Sequence, residues 1–276
     1  MNTNSSSIKQ VFDLNRENSK GCLIGYITVG DPALDVTQKI ADALIYGGID
    51  ILELGLPFSD PIADGPTIQA ASLRALNAGT TPLKVLETVK EIKRKHSHIP
   101  IVIMTYYNPI FCRGLNSFLA TAKERGVNGF IVPDLPVEEA HDFKETAVNY
   151  GLDTIFLAAP STSNKRLPGI VSASSGFLYL ISRLGVTGAN TTLEESTLQL
   201  IRRVKPFTAE KIPLAVGFGI SQIDHVKKVI AAGADAAIIG SAFIDIIQKN
   251  TDNHTVMLKE LEQTAKELKK ATHFGR

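Results

Sequence analysis

Two kinds of hydrophobic pattern alternate along this chain. Short apolar runs at residues 22–28, 49–54, 101–105, 129–132, 154–158, 177–181, 213–216 and 236–239 have strand length and are apolar on both faces. Between them, residues 33–46, 68–77 with 82–95, 115–125, 137–150, 165–173, 193–204 and 222–232 space their apolar positions as helices do. A short amphipathic helix is expected at 8–15, through Val11, Phe12 and Leu14, and a last helix at about 255–270. Eight strands, each followed by a helix, predict an α/β protein: a single (β/α)8 TIM barrel with an extra N-terminal helix and an extra helix after strand two. An open doubly wound sheet is the alternative. It would usually place a Gly-rich turn after the first strand, and Val29-Gly30-Asp31-Pro32 is not G-x-G-x-x-G. One barrel domain is expected over 8–270, with a polar tail at 1–7 and a short tail at 271–276.

Local chemistry marks the element ends. Asp31-Pro32 and Thr81-Pro82 read as N-cap plus N1-proline pairs, and Ser221 as an N-cap. One helix-to-strand joint recurs as Gly48-Ile49-Asp50, Gly126-Val127-Asn128, Gly151-Leu152-Asp153 and Gly233-Ala234-Asp235. In each, the glycine suits the left-handed C′ position, an apolar residue folds back, and a polar residue begins the turn into the strand.

Composition narrows the partners. The chain has 276 residues, 44% hydrophobic and 21% charged, with a net charge of +1, which points to no nucleic-acid or anionic-membrane partner. Its two cysteines, Cys22 and Cys112, make no disulfide framework, so a reducing, cytoplasmic location is expected. No apolar run approaches the ~20 residues of a membrane span, and Met1 to Ser7 lack the features of a leader.

The chemistry centres on residues 51–66. Glu53 interrupts an apolar strand, and Asp60 and Asp64 follow in a Gly/Pro-rich loop. A carboxylate among Ile and Leu costs several kcal/mol to bury unless it is paired or used. Alternation sets Glu53 with Ile51 on one face, at the C-terminal end of the strand where barrel enzymes carry their sites. A core Glu satisfied by a buried donor is the plainer alternative. Gly219 after the seventh predicted strand, with Gly240 and Ser241 after the eighth and Gly188 in the sixth loop, form a phosphate-seat pattern. A single such turn would be read only as a tight bend. The polar loop over 183–192 fits either a closing lid or an ordinary surface loop. No predicted strand contains a lysine, Lys165 being the nearest, and no strand end carries a histidine; these absences disfavour Schiff-base and metal-dependent aldolases, and no metal site is expected. The pair His96 and His98 fits a solvated helix end better than a metal site.

The stretch from Glu53 to Pro66, with Ser182-Arg-Leu-Gly-Val-Thr-Gly188, Gly217-Phe-Gly-Ile-Ser221, Gly25-Tyr-Ile-Thr-Val-Gly-Asp-Pro32 and Val132-Pro-Asp-Leu-Pro136, closely resembles the tryptophan synthase alpha chain family, from about Ile8 to the final helix. The resemblance implies a barrel enzyme that splits indole-3-glycerol phosphate into indole and glyceraldehyde 3-phosphate without a cofactor. It also implies a beta-chain partner that carries pyridoxal phosphate, in an α2β2 heterotetramer. Carried onto this sequence, it makes Glu53 the principal acid–base group and Asp64 the partner of the indole N–H. Tyr26, Tyr179, Thr187 and Phe218 would line the substrate site, with Thr187 helping to order Asp64. Gly188, Gly219, Gly240 and Ser241 would hold phosphate. Tyr26 and Phe177 stand where other members often exchange Phe and Tyr, which bears on the shape of the indole pocket. The resemblance places the beta chain near residues 56–60, 108–111 and 133–136. Ile110 and Phe111 are apolar loop residues there, fit for an interface or for packing on their own helices.

Competing readings are another phosphate-binding barrel, such as an indole-glycerol-phosphate synthase or a phosphoribosyl isomerase, and a barrel that only activates a beta chain. The lysine-free strands argue against the synthase; the intact Glu53 and Asp64 argue against the pure activator.

Overall fold

The structure is a computed structural model that describes residues 7–182, 195–217 and 219–273. Helix α1 (Ser7–Glu17) precedes strand β1 (Cys22–Thr28), which leads through α2 (Leu34–Tyr46) to β2 (Ile51–Gly55). Two helices, α3 (Pro66–Asn77) and α4 (Pro82–Lys95), then precede β3 (Ile101–Met104), so the extra helix after strand two is present. The chain continues with α5 (Tyr107–Phe111), α6 (Leu115–Glu124), β4 (Gly129–Ile131), α7 (His141–Asn149), β5 (Asp153–Ile155) and β6 (Leu157–Ala158). The remainder is α8 (Leu167–Ala173), β7 (Leu178–Ile181), α9 (Glu195–Thr208), β8 (Leu214–Gly217), α10 (Ile223–Ala231), β9 (Ala236–Ile239), α11 (Ser241–Lys249) and α12 (His254–Lys270). The seventh and eighth predicted strands are thus β8 and β9.

All strand pairs are parallel, in the order β5-β4-β3-β2-β1-β9-β8-β7-β6. The two ends of that order, β5 and β6, are successive pieces of one predicted strand, parted at Phe156 alone. The chain itself therefore brings the sheet nearly to closure, as a TIM barrel requires. Side-chain alternation splits the core in two. Ile24, Ile51, Val102, Ile131, Ile155, Tyr179, Ala215 and Ile238 fill the interior, and Ile8 and Phe12 of α1 join them from below, Phe12 lying 5.9 Å from Phe177. Leu23, Leu52, Leu54, Ile103, Phe130, Leu180 and Val216 face outward onto the helices.

The four joints are built alike. Gly48, Gly126, Gly151 and Gly233 all have positive φ (97°, 95°, 61° and 108°), and Ile49, Val127, Leu152 and Ala234 behind them are buried. The polar residue does more than begin a turn, because in three joints it accepts a backbone N–H from the start of another strand. Asp50 takes Leu23 N at 2.6 Å, Asn128 takes Ile101 N at 2.8 Å and Asp235 takes Leu214 N at 2.8 Å. Lys269 bonds Asp50, and Lys205 bonds Asp235, both at 2.7 Å. The chain's two ends meet on this same side of the barrel, where Lys20 bridges His273 and Gly21 N donates to Thr272 O at 2.8 Å. Ala271 and Thr272, at the start of the expected C-terminal tail, are buried. Asp235→Ala leaves a buried N–H without its acceptor, so urea unfolding should show a loss of about 1–3 kcal/mol; an unchanged midpoint would remove this role.

Several expected details differ. Thr81 caps α4 as expected, accepting from Lys84 N, but Asp31 caps nothing: α2 starts at Leu34 after Ala33, and Pro32 follows a cis peptide. Gln222 rather than Ser221 precedes α10, with no side-chain cap. Residues 107–111 form a short helix instead of a loop, and α7 starts only at His141.

Candidate active site

Glu53 is the middle residue of β2, and period-two alternation turns it inward between Ile51 and Gly55. It is 1% exposed, and neither carboxylate oxygen has a hydrogen-bond partner among the described residues. Burial first, and the charge of Asp64 second, push its carboxyl up to about 8. The core-Glu alternative required a buried donor, and none reaches Glu53 among the described residues.

Asp64 reaches the same mouth from the loop after β2. Its backbone is held at each side: Ala63 N donates to Tyr106 Oη at 2.9 Å, Asp64 N to Pro61 O at 3.1 Å, and Gln69 Nε2 to Asp64 O at 2.8 Å. Gly65 then caps α3, with Pro66 at its first position. Burial raises the Asp64 carboxyl to about 6, against a lowering hydrogen bond from Tyr106. Asp60 is exposed on the outer part of the loop.

Two tyrosines line the floor. Tyr26 pairs in register with Glu53 across β1 and β2, and its hydroxyl lies 3.2 Å from Thr28 Oγ1. That hydroxyl occupies the space a Cβ on Gly55 would need, as the Tyr179 hydroxyl does at Gly217. Glycine ends both strands because a tyrosine hydroxyl lies over each. Burial pushes both phenols up, with the carboxylate charges adding to it, so they stay protonated and able to donate.

The glycines expected to seat an anion differ in kind. Gly219 needs its freedom, with φ +79°. Gly240 has an extended φ of −120° and is small for another reason: a Cβ there would lie 3.3 Å from Tyr26 Cδ1. Ser241 opens α11 at the C-terminal end of β9, which brings the positive end of that helix to the mouth. Strand β1 lies between β2 and β9, so Gly240 is two strands from Glu53, about 10 Å away. The Tyr26 ring spans that gap. Thr187, Gly188, Phe218 and the loop over 183–192 lie outside the described residues.

Tyr106, Thr28 and Gly55 are members of this site whose parts in it the sequence did not assign. A hydroxyl-bearing aromatic directly after the third strand was the available signal for Tyr106. His96 is committed elsewhere, its Nε2 lying 2.7 Å from Asp42 Oδ1. Among the described residues no His, Cys, Asp and Glu group is placed to hold a metal ion, and no helix is long and apolar enough to cross a membrane. At the mouth's rim, Ile110 is fully buried beneath α5, which corrects its reading as an apolar loop residue, whereas Phe111 is 67% and Ile62 79% exposed.

A family model described as tryptophan synthase alpha chain matches residues 12–273. The chain belongs to the tryptophan synthase alpha chain family. The alpha chain of Methanoregula boonei is 48% identical over 264 residues, covering 96% of this chain and 97% of its own length. Among solved structures, Mycobacterium tuberculosis tryptophan synthase is similar with a TM-score of 0.88 and 35% identity, over 98% of this chain and all of that one. A mutant alpha-subunit from Pyrococcus furiosus gives 0.82 and 41%, over 91% of this chain and 98% of that one. Tryptophan synthase alpha chains are lyases that cleave indole-3-glycerol phosphate in tryptophan biosynthesis and work with a beta chain, to which pyridoxal phosphate belongs.

Proposed function

We propose that this chain cleaves indole-3-glycerol phosphate to indole and glyceraldehyde 3-phosphate with Glu53 as the acid–base group and Asp64 as the stabiliser of charge. The observation that carries this reading is one buried carboxyl without a hydrogen-bond partner among the described residues, raised to about 8, beside a second raised only to about 6. Two carboxyls pushed apart in one mouth divide into acid and anion at neutral pH.

The chemistry asks for that division. A carbanion at indole C3 is a poor leaving group, so C3 must be protonated before its bond to the glycerol carbon breaks. Glu53, protonated at neutral pH, gives that proton. Positive charge then develops at the indole nitrogen, where the Asp64 carboxylate accepts the N–H and opposes the charge in a water-poor site. The carboxylate left on Glu53 takes the proton of the adjacent glycerol hydroxyl as the carbonyl forms. The electrons of the broken bond return to the ring, and indole leaves. Glu53 ends protonated, ready for the next cycle. Tyr26 and Tyr179 line the indole side, with Thr187 and Phe218 completing it. Gly188, Gly219, Gly240 and Ser241 seat the phosphate through backbone N–H groups. No step uses a group from outside the chain.

The barrel over 8–270 acts as one domain in the cytoplasm, in an α2β2 assembly with a beta chain seated on the rim that carries Phe111 and Ile62. The test is indole release from indole-3-glycerol phosphate, with and without beta chain. Release by the isolated chain is the expected result; no release in either arm overturns the reading. Ser241→Asp sets a charge against the phosphate and should weaken competitive inhibition by glycerol phosphate at least tenfold. Unchanged inhibition would move the anion seat elsewhere.

A further inference from the structure

The helix that follows Asp64 carries one charged residue, Arg74, and its partner is buried. Arg74, in the last turn of α3, donates Nε to Asp31 Oδ1 at 2.7 Å and Nη2 to Oδ2 at 2.8 Å. Asp31 lies in the turn after β1, its side chain wholly buried, while 26% of the Arg74 side chain is exposed. That turn is firmly set. Gly30 has φ +91°, Thr80 fills the space a Cβ there would take, and Gly30 N donates to Thr37 Oγ1 at 2.9 Å. A buried ion pair contributes little stability beyond what apolar residues of the same volume would give. What a two-pronged Arg–carboxylate contact does supply is fixed geometry.

The other end of the helix holds the candidate charge stabiliser. Gly65 precedes α3 directly, and Gln69 ties back once to each of the two residues before the helix, Nε2 to Asp64 O at 2.8 Å and N to Gly65 O at 2.9 Å. Asp64 and Arg74 are ten residues apart, so the helix is a lever about 15 Å long. A tilt of about 4° about the Arg74 end carries Asp64 about 1 Å, and a misplacement of that size can cost about 10²-fold in rate.

We propose that Asp31 and Arg74 are positioning residues whose ion pair fixes the axis of α3, and through it the place of Asp64 opposite Glu53, with neither residue touching substrate. The inference rests on the reading of Asp64 under Proposed function.

The test compares wild type with Arg74→Met, which removes the charge, and Arg74→Lys, which keeps the charge and loses the fork. Three quantities are read well below the unfolding temperature: kcat and KM for indole release, inhibition by glycerol phosphate, and hydrogen exchange of the amides at 62–65. Arg74→Met should lower kcat by about 10- to 100-fold and Arg74→Lys by less. Inhibition by glycerol phosphate should stay within about twofold in both variants, and the Ala63 and Asp64 amides should exchange faster. A merely structural pair would lower Tm and leave kcat and exchange alone, and that result overturns the proposal. If Arg74→Met does not fold, Arg74→Lys decides by the same readouts. A wild-type chain that releases no indole overturns the role of Asp64 instead, and the exchange rates still decide whether the pair holds the loop.

Discussion

Glu53→Gln should reduce indole release by at least about 10³-fold, while the protein still binds glycerol phosphate and keeps its fold. The amide matches the carboxyl in size but can neither protonate indole C3 nor take the glycerol hydroxyl proton, and each positioned proton transfer is worth about 10²–10⁴-fold. The same substitution should stabilise the protein at alkaline pH. Glu53 titrates at its ordinary 4.5 when unfolded and at about 8 when folded. Between those values the folded state binds more protons, so stability is full below about 4.5 and is lost as pH rises to 8, by about 3–5 kcal/mol in all. Gln has no charge to bury and escapes that loss. Urea unfolding of both proteins at pH 6 and pH 9 checks the sign: the variant should gain on wild type as pH rises. A rate within tenfold of wild type would end the assignment, whatever the unfolding curves show.

Asp64→Asn should lower kcat/KM by about 10²–10³-fold, the cost of losing one charge-stabilising group in a closed site. Its pH profile is the sharper readout. On the proposed roles, activity needs Asp64 ionised and Glu53 protonated, which predicts a bell between about 6 and 8. A phosphate ester also titrates near 6, so the wild-type acid limb should fall with a slope of two and the variant limb with a slope of one. The alkaline limb should move to lower pH, because the Asp64 charge helps hold the Glu53 carboxyl up. These limbs belong to the coupled pair rather than to either residue alone. An acid limb of unchanged slope would take Asp64 out of the reaction.

What could be read before the structure follows from what is encoded locally. Strand β1 and helix α4 fall at the expected bounds because apolar runs and the Thr81-Pro82 start are properties of adjacent residues. The four Gly-led joints are local too, and all four glycines have the expected left-handed φ. The direction of Glu53 followed from counting by twos along β2. Contacts between distant segments were not readable. Asp31 looked like a helix cap because Asp-Pro is a common cap pair, but Arg74, forty-three residues on, takes both its oxygens. The closeness of Gly240 to the Tyr26 ring of another strand, which leaves little room for a side chain there, could not be read from adjacent residues either. Ile110 was placed in a loop because five residues are too few to show a helical period; α5 buries it. The link from Tyr106 to the Asp64 loop likewise joins residues forty-three apart.

The joints that tie Asp50, Asn128 and Asp235 to neighbouring strands, the plug made by α1 and the meeting of the chain's two ends all lie at one rim of the barrel. The opposite rim is thereby released from structural duty. It can harbour two ionisable acids that no designer of a stable core would choose, because their strain is carried by a base braced independently of them. Evolution is free to rewrite the upper loops, and so the chemistry, without renegotiating the foundation.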